Sequence, residues 1–568
     1  MNTTDILRRH STLIILILLA LTFLPWLGCS PFNTKGEPRE AIVAVSMLDS
    51  GNWILPESFG ADIPYKPPFL AWCIALLSLL TGGVTEFTSR MPSAIAVIAI
   101  GVATYKFFKR SSGSRRRGGM TALLMVSCIE VWRAGMACRV DMVLTACMVG
   151  ALYSLYNYRH SGYRGLPWVA ILLMTMGMLT KGPVAIFLPC LCLGIYGLLR
   201  GDRFWPLLAR MTLSGILALV IPALWYVAAW NIGGQEFFDL AWEENIGRLT
   251  GTMSYESHVN PWWYNIVTLV AGLLPYTLLV LISLFVARWK VLAHTSWIHD
   301  SWLRMRRMHP ATLYSTVCAA VIFIFYCIPS SKRSVYLLPM YPFLAYMLTL
   351  LVLWMANGTI RSRHLLKTYC GIISALALIV PCVLLYARWH GTMPLAHGPM
   401  ATLLATIPSS PIGWVLIIIC MVCGAQSLYL LLCRKPLFCF NAAVATTLTM
   451  LWLTSGAVLP AVLGAKSDRP VAQAVEKIVP SDHLIYSWVG TDMLRYYTAN
   501  FYLHDRIRTL NPYALPPEGG YLLIGDTDLS TLRPIFEQQG YATTLLHDSH
   551  HRSCDTRQTI LLLHLSPK

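Results

Sequence analysis

Charged side chains are scarce in this sequence. They make up 12% of its 568 residues, against roughly a quarter in an ordinary soluble domain. A chain so poor in charge cannot give several soluble domains a hydrated surface. Hydrophobic residues fill 56% of it and the mean hydropathy is +0.56, which points to a membrane protein. Other absences narrow the reading. No small-residue cleavage site follows the apolar run 13–27, so it reads as an uncleaved first span, its N-terminus cytoplasmic behind Arg8 and Arg9. There is no internal repeat and no pair of related halves, the pattern of many transporters. Gly525-Asp526-Thr527-Asp528 follows a strand-like run but lacks the glycine-rich fingerprint of a nucleotide site, and reads as a turn. His547, His550, His551 and Cys554 are metal-capable types without a zinc spacing, and read as a solvated surface. The 16 cysteines lie mostly inside apolar runs, as at Cys190 and Cys192 or Cys420 and Cys423. They read as small core hydrophobes, not as a disulfide framework.

What is present is a series of apolar runs, near 92–105, 120–136, 142–156, 166–180, 184–199, 207–230, 262–286, 311–328, 335–355, 369–386, 412–433 and 442–463. Each is about long enough to cross a bilayer, some marginally. The net charge of +17 concentrates in alternate loops, at 109–117, 159–164, 200–203, 288–307, 361–367 and 434–435, which the positive-inside rule assigns to the cytoplasm. The run Arg115-Arg116-Arg117 reads as a membrane-surface anchor and not as a nucleic-acid site. Counting the apolar run 69–80 as a span would place 109–117 outside, so it reads as a juxtamembrane or re-entrant segment. The expectation is an α-helical integral membrane protein of about 13 transmembrane helices with its C-terminus outside. From about Lys466 short strand-like runs at 483–489, 521–525 and 559–565 alternate with helical stretches. Residues 1–465 are expected to form the membrane domain, with a first outer loop at about 29–91, and residues 466–568 a small α/β domain outside the membrane.

With so few charges, their placement is informative. The outer face collects Lys35, Glu37, Arg39, Glu40, Lys66, Arg139, Asp141, Lys181, Glu243, Glu244, Arg248, Lys332 and Arg333. Cations for a phosphate and a carboxylate for proton transfer, gathered at span ends on one side, suit a charged lipid headgroup. Glu130 and Arg133, three apart within a span, read as a mutual pair.

The first loop carries the most specific pattern: Gly36-Glu37-Pro38-Arg39-Glu40-Ala41, Gly51-Asn52-Trp53-Ile54-Leu55-Pro56, Tyr65-Lys66-Pro67-Pro68 and Glu86-Phe87-Thr88-Ser89-Arg90-Met91-Pro92. Arg139-Val140-Asp141, Leu179-Thr180-Lys181-Gly182-Pro183 and Ser331-Lys332-Arg333-Ser334-Val335-Tyr336-Leu337-Leu338-Pro339 follow in order. Together these motifs resemble the GT-C fold glycosyltransferases that use polyprenyl-phosphate-linked sugars. The resemblance is strongest to the bacterial lipid A 4-amino-4-deoxy-L-arabinose transferase family and weaker to the protein O-mannosyltransferases.

The resemblance implies an inverting membrane glycosyltransferase with its site on the outer, periplasmic side of the cytoplasmic membrane. Its partners would be a polyprenyl phosphate sugar donor, a lipid or protein acceptor and the surrounding membrane lipids. The family's first loop usually begins Asp-Glu-Pro-Arg; here Gly36 replaces the Asp, leaving Glu37 as the favoured catalytic carboxylate and Asp141 as the next. Lys66 matches the lysine that holds the donor phosphate. Arg248 and Tyr336 match phosphate and substrate contacts, joined by Arg39, Lys181, Lys332 and Arg333 as substrate-binding residues. Tyr65 and Glu243, counted with the substrate-binding residues, stand where the family has metal ligands, so no metal ligand is assigned and a need for a divalent metal is left open. The chemistry fits the residue types. An oxocarbenium-like transition state with a phosphate leaving group needs cations such as Lys66, Arg39 and Arg248 to take up growing negative charge, and one carboxylate near the acceptor as base. A lipid acceptor is the main expectation. A protein acceptor and, further off, a lipid-linked sugar transporter are the alternatives.

Overall fold

The computed structural model describes residues 10–64, 66–247, 259–286, 307–391, 399–491 and 494–568. Among them eight helices are long and apolar enough to cross a membrane: Glu86–Ser111, Val140–His160, Phe204–Gly247, Pro310–Cys327, Ser334–Asn357, Ile360–His390, Pro411–Cys433 and Pro436–Gly464. A ninth span would join Tyr264–Gly272 to Tyr276–Val286, which meet at a bend of 104°. Shorter apolar helices are Ser11–Trp26, Phe69–Thr81, Trp168–Lys181 and Val184–Leu199. The protein is a multi-span membrane protein, but length and apolarity alone qualify fewer spans than the thirteen expected, because several apolar runs are short or broken. Run 120–136 is divided into Arg115–Val126 and Ile129–Gly135, with Ser127 between them bonding back to the Leu123 carbonyl at 2.5 Å. The helix Phe69–Thr81 has 13 residues, about 20 Å, short of a hydrocarbon core of about 30 Å.

Burial orders these helices. The apolar window of Val140–His160 is 78% buried, whereas those of Phe204–Gly247 and Pro411–Cys433 are 28% buried. The first is central and the other two are peripheral. Leu80, Trp389 and Leu432 are more than four-fifths exposed, a burden in water but neutral against lipid tails. At the centre an aromatic cluster locks helices together. Phe107 stacks on Tyr153 at 4.1 Å, Phe108 stacks on Tyr346 at 4.3 Å, and Tyr314 donates to the Leu152 carbonyl at 2.7 Å. Lys109 and Arg110 end Glu86–Ser111, and Arg159 and His160 end Val140–His160. Cations at these C-termini complement the helix dipoles. All 16 cysteines are free and half of them are fully buried, as small core hydrophobes would be.

Beyond the last membrane helix a five-stranded sheet has the order β2-β1-β3-β5-β4. Its strands are β1 (Ile485–Ser487), β2 (Ile507–Thr509), β3 (Gly520–Gly525), β4 (Tyr541–Arg552) and β5 (Thr559–Pro567). β1 runs parallel to β2 and β3, while β5 is antiparallel to β3 and β4. The helix Asp526–Gln538 covers one face, burying Leu532 and Phe536 against Leu522, Ile524, Leu563 and Leu565. Residues 525–528 therefore start a helix and are not the expected turn; Asp526 and Asp528 sit in its first turn, where acids are favoured. β2 and β4 escape a reading by alternation, β2 because it is only three residues long. In β4 the run His547-Asp548-Ser549-His550-His551 masks the pattern.

This sheet domain grips the first loop. Asp505 accepts hydrogen bonds from Ser46 Oγ (3.0 Å), the Phe59 amide (3.0 Å) and Asn500 Nδ2 (2.7 Å). The Tyr502 hydroxyl donates to Glu86 at 2.8 Å and accepts from the Phe32 amide at 2.9 Å. Arg495 pairs with Asp62 at 3.4 Å.

Candidate active site

The first loop enters the site through a helix that the sequence starts deliberately. Pro38 occupies the first helical position, where its missing N–H costs nothing and its fixed φ is already helical. The helix Pro38–Ser50 then puts Glu37 at its N-terminal boundary and Glu40 one turn on, so the two carboxylates serve different partners. Glu37 turns inward. Arg90 holds it with a two-pronged contact, Nε to Oε1 at 2.8 Å and Nη2 to Oε2 at 3.0 Å, and the Cys138 amide donates to Oε1 at 2.9 Å. The same guanidinium donates from Nη1 to the Leu27 and Ser30 carbonyls at 2.7 and 2.6 Å. Burial alone would raise the Glu37 carboxyl; Arg90, the Cys138 amide and Arg139 outweigh it and hold it below the usual carboxylate range. Both oxygens of Glu37 are thus occupied in fastening the loop to helix Glu86–Ser111.

Glu40 meets Lys66, which donates to its Oε1, and Arg39 lies 3.5 Å from the same oxygen. Burial pushes Glu40 up, but Lys66, Arg39 and Arg139 pull harder and keep it below the usual range. Burial lowers Lys66 to about 8, with Arg39 adding to the fall and Glu40 and Asp141 resisting it. Neighbouring elements complete the cluster. Asp141, in the first turn of Val140–His160, takes a hydrogen bond on Oδ1 from Lys181, the last residue of helix Trp168–Lys181. Lys181 Nζ also lies 4.2 Å above the Tyr336 ring, a cation–π contact, and Tyr336 packs on Tyr326 at 5.4 Å. After Lys181 the charges acting on Asp141 come from Arg333 and Lys66, and Arg333 also acts on Arg139.

Arg39, Lys66, Arg139, Lys181 and Arg333 therefore outnumber Glu40 and Asp141, since Glu37 is neutralised by Arg90. Such an excess of positive charge in a half-buried setting attracts an anion, and each contact there is stronger than in bulk water. Gly36 explains how Arg139 gets in. A Cβ on Gly36 would fall 1.9 Å from Arg139 Nη2, so the guanidinium fills the space that a side chain at this position would need. Arg139 and Glu40 were gathered from the sequence among the outer-face charges but given no individual role, and Arg90 stood only in the quoted Glu86–Pro92 stretch. The proximity of Gly36 to Arg139 is a tertiary fact with no local signal.

The remaining expected residues are placed as follows. Lys332 is buried, with Nζ donating to the Pro329 carbonyl at 2.6 Å and to that of Asn260 at 3.4 Å, and so fastens a loop. Glu243 lies in the π-helical turn Glu243–Gly247, whose Asn245 packs against Gly182 beside Lys181. Tyr65 and Arg248 lie outside the described residues. At the metal-ligand positions implied by the resemblance the sequence has a phenol, Tyr65, and a single carboxylate, Glu243. Glu130 and Arg133 pair as expected, at 3.1 and 2.6 Å, and Arg133 reaches Ser334 Oγ at 3.3 Å.

Residues 65–227 match the family described as dolichyl-phosphate-mannose-protein mannosyltransferase. The undecaprenyl phosphate-alpha-4-amino-4-deoxy-L-arabinose arabinosyl transferase of Erwinia tasmaniensis is 24% identical over 372 residues, 64% of this chain and 62% of that protein. Its counterpart numbered 2 in Proteus mirabilis is 28% identical over 339 residues, 57% of this chain and 56% of that protein. An uncharacterized Aquifex aeolicus protein is 26% identical over 319 residues, 55% of this chain and 59% of that protein. The chain thus aligns with less than two thirds of the length of these relatives. The crystal structure of ArnT from Cupriavidus metallidurans in the apo state matches with a TM-score of 0.71 at 18% identity, covering 98% of both chains. The structure of the same protein bound to undecaprenyl phosphate matches with a TM-score of 0.69 at 19% identity, covering 97% of both. The chain shares the GT-C fold of these structures, and its sequence resembles the membrane glycosyltransferases that draw sugars from polyprenyl phosphates.

Proposed function

We propose that the protein is an inverting glycosyltransferase that moves a sugar from a polyprenyl phosphate to a lipid acceptor resembling lipid A, at the outer face of the cytoplasmic membrane. The observation that carries this reading is the convergence of Arg39, Lys66, Arg139, Lys181 and Arg333 on Asp141 and Glu40 where the first loop meets the ends of membrane helices. The relatives named for undecaprenyl phosphate sugars support the donor class.

In this mechanism the donor phosphate exchanges into the cationic cluster while its lipid tail lies among the apolar helices. An acceptor oxygen attacks the anomeric carbon from the face opposite the phosphate. The bond from that carbon to the phosphate oxygen breaks, and its electron pair leaves on the carrier phosphate. Lys66, Arg39 and Lys181 stabilise the charge as it grows, which is the largest contribution the site can make. No protonation of the leaving group is needed, and a single displacement inverts the centre.

Between the two candidate bases the geometry favours Asp141. Glu37 has both oxygens held by Arg90 and cannot turn to an acceptor without abandoning a buried ion pair. Asp141 is held by Lys181, and as the phosphate develops charge this lysine shifts toward it, freeing the carboxylate to take the acceptor proton. An acceptor that is already ionised, such as a phosphate, needs less of this help. Glu37 then acts as a positioning residue that fixes the start of the loop helix.

Mass spectrometry of membrane glycolipids and glycopeptides tests the reading in cells carrying wild-type or Lys66→Ala protein. Loss of a sugar-sized mass from a lipid in the variant supports it. Loss from peptides would move the acceptor to protein. No change in either fraction, with the carrier-linked sugar redistributed between membrane faces, would replace the transferase with a transporter.

A further inference from the structure

A second cluster lies well apart in the sequence from the cationic site, where the sheet domain meets the end of the membrane helices. Asp468 follows the last membrane segment and immediately precedes helix Arg469–Ile478, and it is fully buried. The far end of the β4–β5 hairpin folds back onto it. Asp468, Cys554 and Asp555 each present a ligand atom within 4.8 Å of the others, and His551 Nε2 lies 3.3 Å from Asp468 Oδ1. From the sequence, His551 and Cys554 read as surface. The structure separates them from His547 and His550 and adds two carboxylates from different parts of the chain. The irregular end of β4 makes this happen. A register shift between Asp548 and Arg552, with His550 at φ 47°, breaks the strand's alternation there, and a bulge redirects side chains in this way.

The surrounding hydrogen bonds resemble the outer shell of a metal site, where ligating groups are oriented by further donors. Ser553 Oγ donates to Asp468 Oδ2 at 2.7 Å and the Cys554 amide to Oδ1 at 2.9 Å. The Thr498 amide donates to Asp555 Oδ2 at 2.7 Å. Asp555 is 8% exposed, yet its Oδ1 has no hydrogen-bond partner among the described residues, and neither has His551 Nε2. An orphaned carboxylate oxygen beside a second buried carboxylate and a thiol is costly to leave unmet. The charge of Lys35, in the first loop, acts on Asp555.

We propose that Asp468, His551, Cys554 and Asp555 form a structural site for a zinc-class divalent cation that fastens the hairpin of the sheet domain to the membrane exit. A thiolate, an imidazole and carboxylates suit zinc and cobalt, not magnesium or calcium, which take oxygen ligands. Asp468, Cys554 and Asp555 supply three ligand atoms that already lie together, and His551, 3.3 Å from Asp468 Oδ1, would turn in as the fourth of a tetrahedral shell, the arrangement of structural and not catalytic zinc. Binding replaces the Cys554 thiol proton, which leaves to solvent, by a metal–sulfur bond. Two carboxylates and a thiolate against a divalent cation leave one negative charge, beside Lys35. The metal thus ties the far end of the β4–β5 hairpin to Asp468, where the chain leaves the last membrane helix.

The test is metal binding by the full-length chain in detergent, read without any transferase assay, so its outcome is independent of the proposed function. Metal content is measured after purification without chelator. The stripped protein is then titrated with Co2+ and the thiolate-to-cobalt charge-transfer absorption recorded. The expected result is one equivalent of zinc or cobalt per chain, with Zn2+ blocking maleimide labelling of Cys554. Cys554→Ser should abolish the charge-transfer band, and His551→Ala, at a side chain a quarter exposed and outside the apolar core, should weaken Co2+ binding by about tenfold or more. If Cys554→Ser does not fold, the stripped wild-type protein decides alone. Absence of the band, labelling of Cys554 that Zn2+ does not slow, or unchanged Co2+ affinity in His551→Ala would overturn the site.

Discussion

Replacing Lys66 with Ala removes two things at once, and the structure says how to separate them. Lys66 donates to Glu40, whose side chain is 11% exposed, and Arg39 remains 3.5 Å from the same oxygen. Removing one member of a buried pair costs about 3–5 kcal/mol, and the remaining Arg39 places this case at the lower end. A melting point lower by several degrees is expected. If Lys66 also contacts the donor phosphate, a charge-assisted hydrogen bond of about 1.5–3 kcal/mol is lost, a rise of about 10- to 150-fold in donor KM. Adding Glu40→Gln to Lys66→Ala removes the unpaired charge. The double variant should regain most of the melting temperature in differential scanning fluorimetry yet keep the raised donor KM. A double variant with wild-type donor KM would refute the phosphate role, because Lys66 would then serve only to neutralise Glu40.

Burial lowers Lys66 to about 8, so its charge is present below that pH and lost above it. Donor KM should rise as pH climbs through 8 in the wild type and stay flat in Lys66→Arg; parallel pH profiles for the two would contradict this. Asp141→Asn should lower kcat by about 10²–10⁴ with a hydroxyl acceptor at nearly constant donor KM, and wild-type kcat would remove Asp141 as the base. Glu37→Gln, which turns an amide toward the Arg90 fork, should show chiefly as a lower melting temperature; a variant of native stability with lost turnover would return the base to Glu37. Gly36→Ala puts a methyl group 1.9 Å from Arg139 Nη2 and should reduce turnover by displacing that guanidinium while the fold persists, as circular dichroism and turnover together would report. Asp505→Ala leaves the buried Phe59 amide unpaired, at a cost of about 1–3 kcal/mol, and should expose the first loop to protease.

The apolar runs revealed the membrane class because a lipid-facing stretch must be apolar along its length, as residues 369–386 and the helix Pro411–Cys433 are. Breaks within runs were less legible. Nothing local announces that residues 120–136 divide at Ser127, which bonds Tyr276 at 2.6 Å; Gly272 and Pro275 do mark the break between Tyr264–Gly272 and Tyr276–Val286, but not the 104° at which they meet. In the site, motif order singled out Arg39, Lys66, Asp141, Lys181, Arg333 and Tyr336, which the fold brings close. What the motifs could not reveal is which carboxylate each cation takes. Glu37 and Glu40 look equivalent in Glu37-Pro38-Arg39-Glu40, and only the helix beginning at Pro38 sends one to Arg90 and the other to Lys66. Lys332 and Arg333 are neighbours in sequence, yet extended backbone at Arg333 turns them to opposite tasks. Asp468 and Asp555, 87 positions apart, are joined by topology alone.

The most direct test of the central claim is transfer by the purified chain in lipid nanodiscs, supplied with an undecaprenyl-phosphate-linked aminosugar and lipid A and followed by mass spectrometry of both lipids. The account predicts that one sugar mass leaves the carrier and appears on lipid A, releasing carrier monophosphate, and that Lys66→Ala and Lys181→Ala slow both changes together. An intact sugar carrier beside unmodified lipid A, with active donor and folded wild-type protein, would contradict it.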